Sequence, residues 1–112
     1  MKLVTAILRP SRVDEVKEAL KTTGVLGLTL SEVNGFGRQF GHTEIYRGTE
    51  YKIEFVPKSK VEILCDDAAA GGIVDAIVAA ARSDNVGDGK MWVTDVGEVV
   101  RIRTGERGVD AI

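Results

Sequence analysis

Two arginines two positions apart, Arg101 and Arg103, are the first feature with chemical consequence. On a strand, residues at that spacing share a face and stand about 6.6 Å apart. Two cations about 7 Å apart repel by roughly 0.6 kcal/mol in water and about 2.4 kcal/mol at an effective dielectric of about 20. The pair fits either a solvated strand face with splayed side chains or a paired anion clamp, since guanidinium forks match phosphate oxygens. Gly87-Asp88-Gly89-Lys90 poses a similar choice. Its glycines let backbone N–H groups approach an anion and Lys90 adds a point charge, yet Asp-Gly is also an ordinary hairpin turn. It is not a P-loop: Met91 stands where Ser or Thr would hold magnesium, and a strand follows in place of a helix.

Gly35-Phe36-Gly37-Arg38-Gln39-Phe40-Gly41 is glycine-rich without the spacing of a dinucleotide fingerprint, and no helix opens after it. Its glycines suit close ligand approach and hinging. Gly105 similarly closes a loop beside the arginine pair. His42 is the only histidine and Cys65 the only thiol, and neither has partners at metal-ligand spacing. Cys65 reads as the inward side of a strand, where small thiols pack as apolar residues. Tyr46 and Tyr51 lie in a polar loop as anchors, modification sites or plain surface, and Asp66-Asp67 reads as helix capping. Lys58, Lys90, Arg101 and Arg103 fall where strand ends can converge, which points to an anion-binding protein, with a nucleotide as one candidate anion.

The elements that must position these groups follow from periodicity. Lys2 to Leu8 is aliphatic on both sides of the pleat, as in a central strand, and Pro10 ends it. Ser11 and Asp14 form a near capping box. Val13, Val16 and Leu20 then recur at helical spacing, with Gly24 just past the end. A second strand lies within Gly27 to Gly35 and a third over Val61 to Cys65, with a long irregular segment from Gly35 to Phe55 between them. Loops of that length in small domains are usually functional or mobile. Ile73, Val74, Ile77, Val78 and Ala81 give a second helix one apolar face, and Gly71-Gly72 weaken its first turn. Ser83 to Gly89 is a turn-rich loop. Met91-Trp92-Val93 and Val99 to Arg103 are expected as closing strands. The order β-α-β, long loop, β-α-β is the split, ferredoxin-like α+β pattern with two helices on one sheet face. The other face is left for a second subunit.

Composition narrows the function classes. The 112 residues are 44% hydrophobic and 29% charged, which fits one soluble globular domain. Fifteen basic against seventeen acidic residues give a net charge of -2, without the broad positive footprint that nucleic acid needs. The apolar stretch Ile73 to Ala81 is interrupted by Asp75 and too short to span a bilayer. The residues before Arg9 do not make a secretory signal, and the single cysteine sets a reducing cytoplasm as the expected compartment.

Four segments, in order, resemble the PII nitrogen-regulatory signal proteins, and the resemblance covers essentially the whole chain. Gly35-Phe36-Gly37-Arg38-Gln39 with Gly41-His42-Thr43-Glu44 is similar to the start of that family's T-loop. Tyr46-Arg47-Gly48-Thr49-Glu50-Tyr51 is similar to its tyrosine signature. Val86-Gly87-Asp88-Gly89-Lys90 resembles the B-loop, and Arg101-Ile102-Arg103-Thr104-Gly105-Glu106 the C-loop. The resemblance implies a single domain over residues 1–112, with the T-loop at about 37–55, the B-loop at about 82–90 and the C-loop at about 101–109.

It further implies a homotrimer with nucleotide sites in the clefts between subunits. Arg101, Arg103 and Lys90 would hold the phosphates of ATP or ADP, with Gly37, Arg38, Gly87, Asp88 and Gly89 around them. Thr29, Glu62 and Leu64 would line the adenine and ribose end. Gln39 would help to hold magnesium beside ATP, building a site for 2-oxoglutarate among Arg9, Gly37, Gln39, Phe40, Gly41, Lys58 and Gly87. ATP and 2-oxoglutarate would then raise each other's affinity, because coupling between two binding sites is reciprocal. Tyr51 resembles the residue that a nucleotidylyltransferase modifies, and Arg47 the loop residue that enters an ammonium channel, which would recruit the cytoplasmic protein to the inner membrane.

Departures from the family pattern are Thr49 for a small residue, Phe40 for a common lysine, Ser11 for an aromatic, Met91 for a β-branched residue and Arg9 for lysine. None removes a residue of the expected ligand sites. The reading is therefore a non-enzymatic sensor that acts on nitrogen-assimilation targets through its T-loop. The alternatives are a related adenine-nucleotide sensor with another small effector, a slow ATPase without an evident general base, and a plain structural trimer.

Overall fold

The first strand is central because its aliphatic residues are wanted on both sides. In a computed structural model, which describes residues 1–37 and 55–112, β1 (Lys2–Leu8) lies between β3 (Val56–Cys65) and β4 (Gly89–Asp95), and β2 (Thr29–Gly35) extends the sheet beyond β3. All neighbours are antiparallel and the order is β2-β3-β1-β4. Helices α1 (Val13–Lys21) and α2 (Asp67–Ala81) cover one face. The result is the α+β ferredoxin-like plan expected from the order of elements.

Register decides which residues go inside. Val4 pairs with Ile63 and Ala6 with Val61 on the helix side, where all four are buried. Val16 and Leu20 of α1 and Ile73, Ile77 and Ala81 of α2 close over them as one cluster, which also contains Cys65. These helix residues recur at three- and four-residue intervals, the spacing that gives a helix a single apolar stripe. The opposite sheet face carries rows of paired residues: Thr29–Glu62–Thr5–Trp92, then Ser31–Lys60–Ile7–Lys90, then Val33–Lys58. Leu64 and Trp92 stand 41% and 46% exposed on that face.

Helix ends follow local chemistry. The Asp66 carboxylate accepts from the Ala69 N–H at 2.9 Å and caps α2, while Asp67 takes the N-terminal ammonium at 2.8 Å. Gly24 sits at φ +83 just past α1, where L-residues are strained. The Ser11–Asp14 capping box does not form. Pro10–Arg12 makes a 3₁₀ turn, so Ser11 lies inside a turn and not in the extended position a cap requires, and Arg12 pairs with Glu15 instead.

The expected strand over Val99 to Arg103 is also absent. Only Val100 bridges to Arg107. The Gly105 N–H bonds back to the Arg101 carbonyl at 2.7 Å, and the Arg101 N–H donates to the Glu106 carbonyl at 2.9 Å. A tight turn thus consumes the backbone groups that a strand would have offered a neighbour. A second 3₁₀ turn, Gly108–Ala111, precedes the last residue.

Candidate functional site

The glycine loop ahead of β4 is gripped from two strands. Lys58, near the start of β3, is 9% exposed and donates its ammonium to the Gly87 carbonyl at 2.9 Å. Arg9, one residue past β1, reaches the Asp88 carboxylate through Nε at 3.3 Å and the Val86 carbonyl through Nη2 at 2.6 Å. Asp88 also accepts from the Ser83 N–H at 2.7 Å and from the Ser83 hydroxyl. These bonds fold the turn-rich segment into a closed loop, with Gly87 and Gly89 at φ +100 and +101. At Gly89 a Cβ would lie 1.7 Å from the Ile7 carbonyl oxygen, so only glycine lets the loop pass this close to β1.

Charge in this corner is strongly organised. Burial pushes the Lys58 pKa below the usual lysine value, aided by the Arg9 charge and opposed by Asp88. The Ser83 hydroxyl, the Ser83 N–H and then Arg9 hold the Asp88 carboxyl down to about 2. Lys90 stands exposed at the start of β4, opposite Ile7. Gly37 is exposed, and a Cβ there would meet nothing within 4 Å. Arg9, Gly37, Lys58, Gly87, Asp88, Gly89 and Lys90 therefore gather toward one end of the sheet.

A second group lies elsewhere. Thr29 pairs with Glu62 across β2 and β3, and together with Leu64 they line an open cleft of about 720 Å³. Thr23 to Leu28, Ala69 and the last residues Ala111 and Ile112 complete its walls. Arg101 joins this side: Nη2 donates to the Ile112 carbonyl oxygen at 3.2 Å and Nη1 pairs with Glu106 at 3.0 Å. Arg103 is exposed in the adjoining turn and makes no ion pair among the described residues. The shared strand face that was to align the two arginines does not exist.

One chain therefore does not bring the expected cations together. Thr29 and Lys90 stand on opposite edge strands, three strand spacings or about 14 Å apart, and one row out of register. Arg101 sits by the cleft that Thr29 lines, and Lys58 by the loop that leads to Lys90. The expected site residues that are described fall into two groups, one toward each end of the sheet.

Comparison with known proteins identifies the family. The family model for nitrogen regulatory protein P-II matches residues 1–106. The chain belongs to the P-II family. The nitrogen regulatory protein P-II of Mesorhizobium japonicum is 53% identical over 112 residues, covering all of both chains. Those of Azospirillum brasilense and Nostoc punctiforme are each 54% identical over the same full span. The family is regulatory by name, and this P-II protein has the four-stranded α+β architecture in keeping with it.

Several expected positions of this P-II protein lie outside the described residues: Arg38, Gln39, Phe40, Gly41, His42, Tyr46, Arg47, Thr49 and Tyr51. Cys65 is 4% exposed, its thiol facing the Lys2 carbonyl and its pKa raised chiefly by burial, so it behaves as a core residue. Among the described residues no group of three metal-ligating side chains is found, and no helix is long and apolar enough to cross a membrane. Sequence reasoning missed Ser83, whose two bonds to Asp88 close the loop. The available signal was a hydroxyl five residues before a carboxylate in a turn-rich segment.

Proposed function

We propose that this P-II protein is a homotrimeric sensor that binds ATP or ADP between subunits and, with ATP and magnesium, 2-oxoglutarate. The observation that carries the reading is the division of the described site residues into two groups toward opposite ends of one sheet. Thr29, Glu62, Leu64, Arg101 and Arg103 from one copy, set against Gly37, Gly87, Gly89 and Lys90 from the next, make a cleft with an apolar and hydroxylic end and a cationic end, and the family resemblance adds Arg38 and Asp88 near the phosphates. That suits a nucleoside with its phosphates, which guanidinium forks and glycine-loop N–H groups recognise. The half-exposed Leu64 and Trp92 supply the apolar surface for assembly.

Magnesium supplies charge neutralisation beside the phosphates, and Gln39 is the residue assigned to it. Lys58 and Arg9, two cations at the mouth of the glycine loop, suit the carboxylates of 2-oxoglutarate. The T-loop reports occupancy to nitrogen-metabolism partners: an ammonium channel through Arg47, recruiting the cytoplasmic protein to the inner membrane, or a nucleotidylyltransferase at Tyr51. The protein acts by binding and not by turnover.

Calorimetric titration of 2-oxoglutarate with ATP-Mg, with ADP and without nucleotide tests this. Binding only with ATP-Mg, lost in Gln39→Ala and Lys58→Ala, is expected. Tight ATP binding with no response to 2-oxoglutarate would instead assign the site to another small effector.

A further inference from the structure

The loop from Ser83 to Lys90 is held by a chain of polar contacts that closes on itself. Asp88 takes both donors of Ser83, which ties the two ends of the loop together. Arg9 then spans the same carboxylate and the Val86 carbonyl, which ties the loop to the end of β1. Between these two points the Gly87 carbonyl is taken by Lys58. The Asp88 carboxylate, only 22% exposed, is thus directed into the loop. An uncompensated carboxylate beside Gly87 and Lys90 would repel an arriving phosphate.

We propose that Arg9 and Asp88 are positioning residues: their ion pair sets the Gly87–Lys90 backbone in its phosphate-receiving shape and neutralises the carboxylate within it. The proposal rests on the reading that this loop receives nucleotide phosphates. It gives Asp88 a role through the loop and not as a ligand. It also gives Arg9 a role that its charge alone does not explain. The planar fork holds a carboxylate and a carbonyl from two nitrogens at once, whereas lysine gathers its donors on a single nitrogen.

The test is calorimetric titration of ADP into the wild-type protein, Arg9→Lys, Arg9→Gln, Asp88→Asn and the double variant Arg9→Gln/Asp88→Asn. Hydrogen exchange of the 83–90 amides and thermal unfolding are read on the same samples. Arg9→Gln and Asp88→Asn are each expected to weaken ADP binding about tenfold, as loss of one charge-assisted contact would. The double variant should be no weaker than the worse single, Arg9→Lys intermediate, and exchange at Ser83 and Asp88 faster. Unchanged binding in both single variants, or losses that add fully in the double, would overturn the proposal. If Asp88→Asn fails to fold, Ser83→Ala carries the same comparison, because it removes only the hydroxyl. A wild-type protein that binds no ADP would overturn the functional reading. The exchange data would then still decide whether the pair holds the loop, unchanged exchange counting against it.

Discussion

The Lys58 ammonium donates to the Gly87 carbonyl at 2.9 Å and so joins β3 to the loop that leads into β4. Burial and the neighbouring Arg9 charge lower its pKa, and a carboxylate bound there would restore the charged form. If 2-oxoglutarate takes that place, as proposed, its binding at a pH above the lowered value takes up a proton, and its affinity falls as pH rises. Titration at a series of alkaline pH values, each in two buffers of different ionisation enthalpy, reads this uptake directly. Equal heats in the two buffers would remove Lys58 as the partner of the acid.

Asp88 supplies a separate signature in acid. Its carboxyl titrates at about 2 in the folded chain, against an ordinary value of 3.8, because Ser83 and Arg9 favour the ionised form. A depressed carboxylate stabilises the fold in full above its unfolded pKa, and the contribution is lost as pH falls toward the folded one. Lys58 also faces this carboxylate and stays protonated throughout that window. Urea unfolding between about pH 4 and pH 2 should show the wild-type protein losing more stability than Asp88→Asn. Parallel curves for the two proteins would show that Asp88 is not the source.

The sheet was legible where burial and periodicity agree. Val61, Ile63 and Cys65 alternate with Glu62 and Leu64, and all three alternate residues are buried. Val99 to Arg103 shows the limit of that reasoning. Its β-branched residues favour a strand, but Gly105 at φ +73 allows the chain to bond back on Arg101 and end the extension. The site was legible as a set of motifs and not as an arrangement. Arg9 meets Asp88 across 79 positions of sequence, a contact no local pattern encodes. The four cations named for convergence instead divide, with Lys58 and Arg101 tied to different partners, Gly87 and Ile112.

Gly89 is the position where substitution should be most costly. An alanine Cβ would meet the Ile7 carbonyl oxygen at 1.7 Å and its carbon at 2.9 Å, at a φ of +101 that alanine resists. Since backbone supplies both clashing atoms, β4 must shift from β1. Gly89→Ala is expected to lose about 3 kcal/mol or more of stability in chemical denaturation. A loss below about 1 kcal/mol would mean that the strands separate here without penalty.

The opposite result is expected in α2. Gly71 and Gly72 are exposed within the helix, and a Cβ at either meets nothing within 4 Å. Alanine there restricts the unfolded chain without crowding the folded one. Each substitution should raise stability by about 0.5–1 kcal/mol. Destabilisation by Gly72→Ala, measured by the same denaturation, would point to a contact made only on assembly.

Whether the nucleotide site is shared between copies can be decided by complementation. Lys90 starts β4 and Arg101 lies beside the cleft that Thr29 lines, so a shared site takes Lys90 from one subunit and Arg101 from another. Homotrimers of Lys90→Ala or of Arg101→Ala are then defective at every site. When the two variants are unfolded, mixed in equal amounts and refolded together, random assembly restores about one site in four, because each intact half arrives with a probability of about one half. ADP binding at wild-type affinity should reappear in the mixture at about that stoichiometry. A mixture as inactive as its parents, despite verified subunit exchange, would place Lys90 and Arg101 in the same chain's site and refute the division of residues on which the functional reading stands.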